Sequence, residues 1–66
     1  MADDTVTLHP HQHGKLGNIH VEVLSDHVAV VAGDLHPMAD GEQYTFARAG
    51  IQVTRQGDEY TFSKAA

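Results

Sequence analysis

Gly41-Glu42-Gln43-Tyr44-Thr45-Phe46-Ala47-Arg48-Ala49 returns sixteen residues later as Gly57-Asp58-Glu59-Tyr60-Thr61-Phe62-Ser63-Lys64-Ala65. Five of the nine positions are identical and the other four are chemically similar. Between the copies, Ile51-Gln52-Val53-Thr54-Arg55-Gln56 alternates apolar and polar. Residues 43–64 therefore read as a three-stranded antiparallel meander, with strands over 43–48, 51–56 and 59–64. Ala49-Gly50 and Gly57-Asp58 both suit two-residue hairpin connections.

Tight turns at both places set a register. Tyr44, Arg55 and Tyr60 then form one row across the strands. Phe46, Val53 and Phe62 form the next, and Arg48, Ile51 and Lys64 the third. All share one face, because strand side chains alternate with period two. The middle row is core. The Tyr44–Arg55–Tyr60 row is an aromatic patch, suited either to rim that core or to meet a partner. The opposite face carries Gln43, Thr45, Gln52, Thr54, Glu59 and Thr61, polar and β-prone as a solvated face is.

Upstream, Ile19–Leu24 and His27–Ala32 alternate on either side of Ser25-Asp26, which reads as a second hairpin with a two-residue turn. It aligns with the C-terminal hairpin at an offset of thirty-two, with Asp26 falling on Asp58. In this register Leu24, Ala29 and Val31 share a face with His20, Glu22 and His27. A strand pair apolar on both faces wants cover on both. That predicts an interface made by Leu24, Ala29, Val31, His20 and His27, closed by a protein partner or by a second copy in a homodimer.

Thr5–Leu8 alternates as one more short strand, and residues 1–4 read as a loose terminus. Residues 9–18 read as a loop, broken by Pro10, Gly14, Gly17 and Asn18. Residues 33–41 read as another, with room for one helical turn around Pro37–Asp40 and with His36 exposed. Helical periodicity is absent. The expectation is a single all-β domain over 1–66, with five to six antiparallel strands built from hairpins. They form a small barrel or a compact two-layer sheet.

The chain has 66 residues, no cysteine, and a formal charge of −5 from four basic and nine acidic residues. Disulfides and thiolate metal sites are excluded. The acidic balance argues against nucleic acid as a partner, because phosphate binding rests on basic surface. No apolar run approaches the ~18 residues of a membrane span. Met1-Ala2-Asp3-Asp4 lacks the basic and apolar regions of a signal peptide, which predicts a cytoplasmic protein with no membrane partner. Ser25-Asp26-His27 holds the residue types of a catalytic triad, but neighbours in a tight turn cannot adopt its geometry. No phosphate loop is present either. The chain is read as non-enzymatic.

Six histidines are the compositional oddity. His9-Pro10-His11-Gln12-His13 in extended form would project three imidazoles from one side, ~6.6 Å apart. His9, His11 and His13 are thus the candidate ligands for a divalent transition metal such as zinc or nickel, with His20, Asp3, Asp4 or a symmetry mate completing the set. The principal functional expectation is a protein-interaction or self-assembly module, and histidine-mediated metal binding is the alternative.

Overall fold

The computed structural model describes residues 5–65, so the loose terminus expected at 1–4 lies outside it. The chain forms β1 (Thr5–Leu8), β2 (His13–Leu16), β3 (Ile19–Val23), β4 (Val28–Val31), β5 (Asp34–Pro37), β6 (Gln43–Phe46), β7 (Ile51–Gln56) and β8 (Glu59–Lys64). Two four-stranded sheets result, ordered β1-β8-β7-β6 and β2-β3-β4-β5. Every strand pair is antiparallel. The fold is the all-β two-layer sheet, not a closed barrel.

Among the described residues there are eight strands rather than five or six, because two stretches read as loops are strands. β2 and β3 are joined by Gly17-Asn18, with Gly17 at φ 65°, and Leu16 pairs with Ile19. β4 and β5 are joined by Ala32-Gly33, both left-handed at φ 50° and 87°, as a mirror-image type I′ hairpin turn requires. β5 ends on Pro37, which is tolerated because β5 is an edge strand and needs no second hydrogen-bonding partner there. No helical turn forms around Pro37: residues 38–42 make an irregular loop.

The register of the first hairpin differs by one residue from the expected one. Val21 pairs with Val31 and Val23 with Ala29. The connection is not the two-residue Ser25-Asp26 turn, because His27 joins it in the left-handed conformation at φ 63°. The Leu24 N–H donates to the Val28 carbonyl at 2.9 Å and closes this longer turn. A slip of one residue turns a strand over. Ala29 and Val31 therefore point inward with Val21 and Val23, and all four are fully buried. The doubly apolar hairpin expected from the sequence does not exist.

In the meander the first turn is also longer than expected. β6 stops at Phe46, and residues 47–50 form the turn, with the Gly50 N–H donating to the Phe46 carbonyl at 2.9 Å. Phe46 pairs with Ile51 and Tyr44 with Val53, so Tyr44 does not sit opposite Arg55. This slip is of two residues, so the faces are preserved. The second turn has the expected register, with Arg55 opposite Tyr60 and Val53 opposite Phe62.

One apolar cluster fills the space between the layers. Ile51, Val53, Tyr60 and Phe62 enter it from the first sheet, Val21, Val23, Ala29 and Val31 from the second, and Met38 from the 38–42 loop. The layers join where β1 passes into β2. There a Cβ on Gly14 would meet methyls of Val6 and Leu8 at 3.5 and 3.6 Å, ordinary contact distances. On the opposite side, β5 and β6 are the end strands of different sheets and do not pair.

Candidate functional site: the seam between β5 and β6

The loop over 38–42 links β5 to β6 and closes one end of their seam. Met38 plugs the core, and its N–H donates to the His27 carbonyl at 2.9 Å. Arg55 holds the loop from below, donating from Nη1 to the Met38 carbonyl at 2.8 Å and from Nε to the Gly57 carbonyl at 2.7 Å. Glu42 folds back on the loop. Its Oε1 accepts from the Ala39 N–H at 2.8 Å and its Oε2 from His36 Nε2 at 3.0 Å. The bond from His36, and after it the one from Ala39, holds the Glu42 carboxyl below its usual range.

The His36 and Tyr44 rings stack across the seam, 3.6 Å between centroids and 9° from parallel. Phe46 meets both rings edge-on. Beside this stack lies an open cleft of about 360 Å³, lined by Asp34, Leu35, Tyr44, Phe46 and Arg48 among others. Leu35 and Tyr44 are the exposed large apolar side chains among the described residues, at 62% and 36% exposure. They lie in the same cleft. Among the described residues Arg48, at its mouth, makes no ion pair.

Main-chain groups line the cleft as well. Antiparallel pairing alternates residues that bond to the neighbouring strand with residues that turn away from it. The Arg55 N–H donates to the Glu42 carbonyl at 3.0 Å, which starts the alternation on β6. Tyr44 and Phe46 then bond to β7, and Gln43 and Thr45 direct their N–H and C=O groups outward. On β5 the Met38–His27 bond likewise leaves Leu35 facing outward.

The residues singled out from sequence are dispersed by the fold. In the aromatic patch, Arg55 and Tyr60 do pair, with the guanidinium carbon 6.0 Å from the ring centroid. Tyr44 stands apart on the edge strand. Tyr60 is fully buried and is not a surface residue. Of the expected interface, Ala29 and Val31 are core, Leu24 is half-buried beside the 25–27 turn, and His20 is exposed. The His20 ring stacks on His13 at 5.8 Å, and its Nε2 lies 3.6 Å from Glu22 Oε1. His27 belongs to neither surface. Its Nδ1 lies 2.7 Å from the Tyr60 hydroxyl, and its ring stacks on Tyr60. Burial pushes the Tyr60 phenol up, so the phenol keeps its proton.

The histidine run is not extended. Pro10-His11 makes a turn with His11 at φ 73°, and Gln12 folds back to accept the His9 N–H at 2.8 Å. The His11 N–H is drawn to the Val23 carbonyl at 2.8 Å. The bend sends His9 and His13 into separate layers, and among the described residues no group of three histidine, aspartate or glutamate side chains is placed to hold a metal ion. His36, expected in a free loop, is half-buried against Tyr44. Leu35 was not singled out from sequence, and Arg48, read as forming a row with Ile51 and Lys64, lies instead in the 47–50 turn, where Phe46 takes its place opposite Ile51. The signal for Leu35 was a lone large apolar residue between a turn pair and a proline.

No protein-family model, curated protein or solved structure matches the chain.

Proposed function

We propose that this chain is a non-enzymatic protein-interaction or self-assembly module that works through the seam between β5 and β6. The observation that carries the reading is the joint exposure of Leu35 and Tyr44 in one cleft between two unpaired sheet edges. Aromatic and arginine side chains dominate the energetics of protein contacts, and Tyr44 and Arg48 line this cleft together. An extended segment laid along a free edge gains main-chain hydrogen bonds as well. The proposed contact differs from the hairpin interface expected from sequence, of which Ala29 and Val31 are core.

A photo-crosslinking amino acid at position 35 or 44, introduced in the host, tests the site. The expected result is a protein adduct of defined mass from both positions, lost when Arg48→Glu is added, and none from exposed Gln56. Equal yields from all three positions, or no adduct from 35 and 44, would remove the seam as the interaction site.

A further inference from the structure

Two open sheets present four edges, and three of them are guarded against pairing. β5 carries Asp34 and Pro37, β2 carries Lys15 and Gly14, and β1 leads into Pro10 and lies against β2 at the corner. Charge, proline and cover are the usual protections of an edge. β6 is Gln43-Tyr44-Thr45-Phe46, without charge, proline or glycine. It is a β-prone strand whose outward N–H and C=O groups at Gln43 and Thr45 stand ready for a partner strand.

We infer that β6 pairs with β6 of a second copy, antiparallel about a two-fold axis, an inference that rests on the seam being the interaction site. Outward-facing residues must meet outward-facing residues, and Thr45 opposite Thr45 satisfies this with the axis between them. The register then sets Tyr44 of each copy beside Phe46 of the other, an aromatic cross-strand pair. At each end of the ladder the 47–50 turn of one copy, with Arg48, comes near the 38–42 loop of the other, with Asp40 and Glu42.

Charge favours this orientation over the whole molecule. The turns at 25–27, 38–42 and 57–58 lie at one end of the strands, tied by the Met38–His27 and Gly57–Asp40 bonds. That end carries Asp26, Asp40, Glu42, Asp58 and Glu59 against the single fixed cation Arg55. The opposite end, where the Ala65 N–H meets the Gly50 carbonyl, carries Arg48 and Lys64, with Lys15 nearby on β2, against the single acid Asp34 at the β4–β5 turn. Antiparallel edge pairing lays each acidic end beside a basic one. The product is one continuous eight-stranded sheet with the strand order β1-β8-β7-β6-β6-β7-β8-β1.

Sedimentation equilibrium of the untagged full chain over a wide concentration range tests the inference. The expected result is a monomer–dimer equilibrium. Thr45→Lys, which sets two like charges face to face at the axis, should weaken the dimer by about 100-fold, and Arg48→Glu by about 10-fold. Thr7→Lys, on the β1 edge, should leave it unchanged. Circular dichroism should show all three variants folded as the parent is. A monomer at every concentration, or a dimer indifferent to Thr45→Lys, overturns self-pairing. If position 35 then still crosslinks to a different protein, the seam keeps its role and only the second copy is excluded.

Discussion

Tyr44 and Tyr60 hold the same position in the repeat and have opposite environments. Tyr60 lies on β8, flanked by β7 and β1, and is fully buried, whereas Tyr44 lies on an edge and is exposed in the seam. The sequence shows the repeat but not which copy gains a second neighbour, because that neighbour is the distant β1. Burying Tyr60 requires a partner for its hydroxyl, and His27 supplies it at 2.7 Å. His27→Ala should therefore destabilise the fold by about 1–3 kcal/mol, the cost of an orphaned buried polar group. In a double-mutant cycle by urea unfolding, Tyr60→Phe should make His27→Ala much less costly. Additive losses would show that the bond contributes nothing. Glu42 gives a second residue-level test. Its folded pKa is lowered, so its contribution is present above the ordinary glutamate value of 4.5 and is lost as pH falls through the lower folded value. The protection of the Ala39 amide, relative to its intrinsic exchange rate, should fall in that acid window in the parent and show no such step in Glu42→Gln.

At the scale of elements, the two turns misjudged from sequence had unequal consequences. In the meander the slip was of two residues, so Phe46, Ile51, Val53 and Phe62 still face the core as read. In the first hairpin it was of one residue, and it inverted β4. The misleading signal was the alignment of Asp26 with Asp58, which implied a two-residue turn and gave no sign that His27 would adopt φ 63°. Val31→Glu separates the two registers. On an outward face it would only disturb an interface; at its buried position it should abolish the cooperative unfolding transition, since an unpaired charge in a core is very costly. The β4–β5 turn was illegible for a related reason: Ala32-Gly33 lacks the Asn-Gly signature, and Ala32 accepts φ 50° at a cost. Ala32→Asn should relieve that cost and raise stability by about 1 kcal/mol in thermal or urea unfolding. The candidate site was less legible still. The sequence marked Tyr44, but Leu35 becomes significant only because β5 and β6 end different sheets, a matter of topology that local patterning does not carry.

At the scale of the molecule, the all-β class follows from alternation, but the two-layer closure depends on β1 pairing with β8, Thr5 against Ser63, across almost the whole chain. Such pairing pays a loop-closure cost that local sequence does not reveal. A chain this short buries only ~60% of its unfolded surface, and here the apolar remainder is one cluster shared by both sheets. Neither sheet retains a core if the other leaves, so the layers should unfold together. Phe62→Ala, at ~3–5 kcal/mol, would consume most of the stability of so small a domain. Ile51→Val is the more informative probe, with a loss of about 0.5–1.5 kcal/mol. Ile51 is fully buried on β7, in the first sheet. If the fold is one cooperative unit, the slowest-exchanging amides of β3 in the second sheet should lose the same protection as those of β7. If only β7 responds, the layers open independently about the β1–β2 corner, and the seam between β5 and β6 is then the mouth of a hinge rather than a fixed cleft.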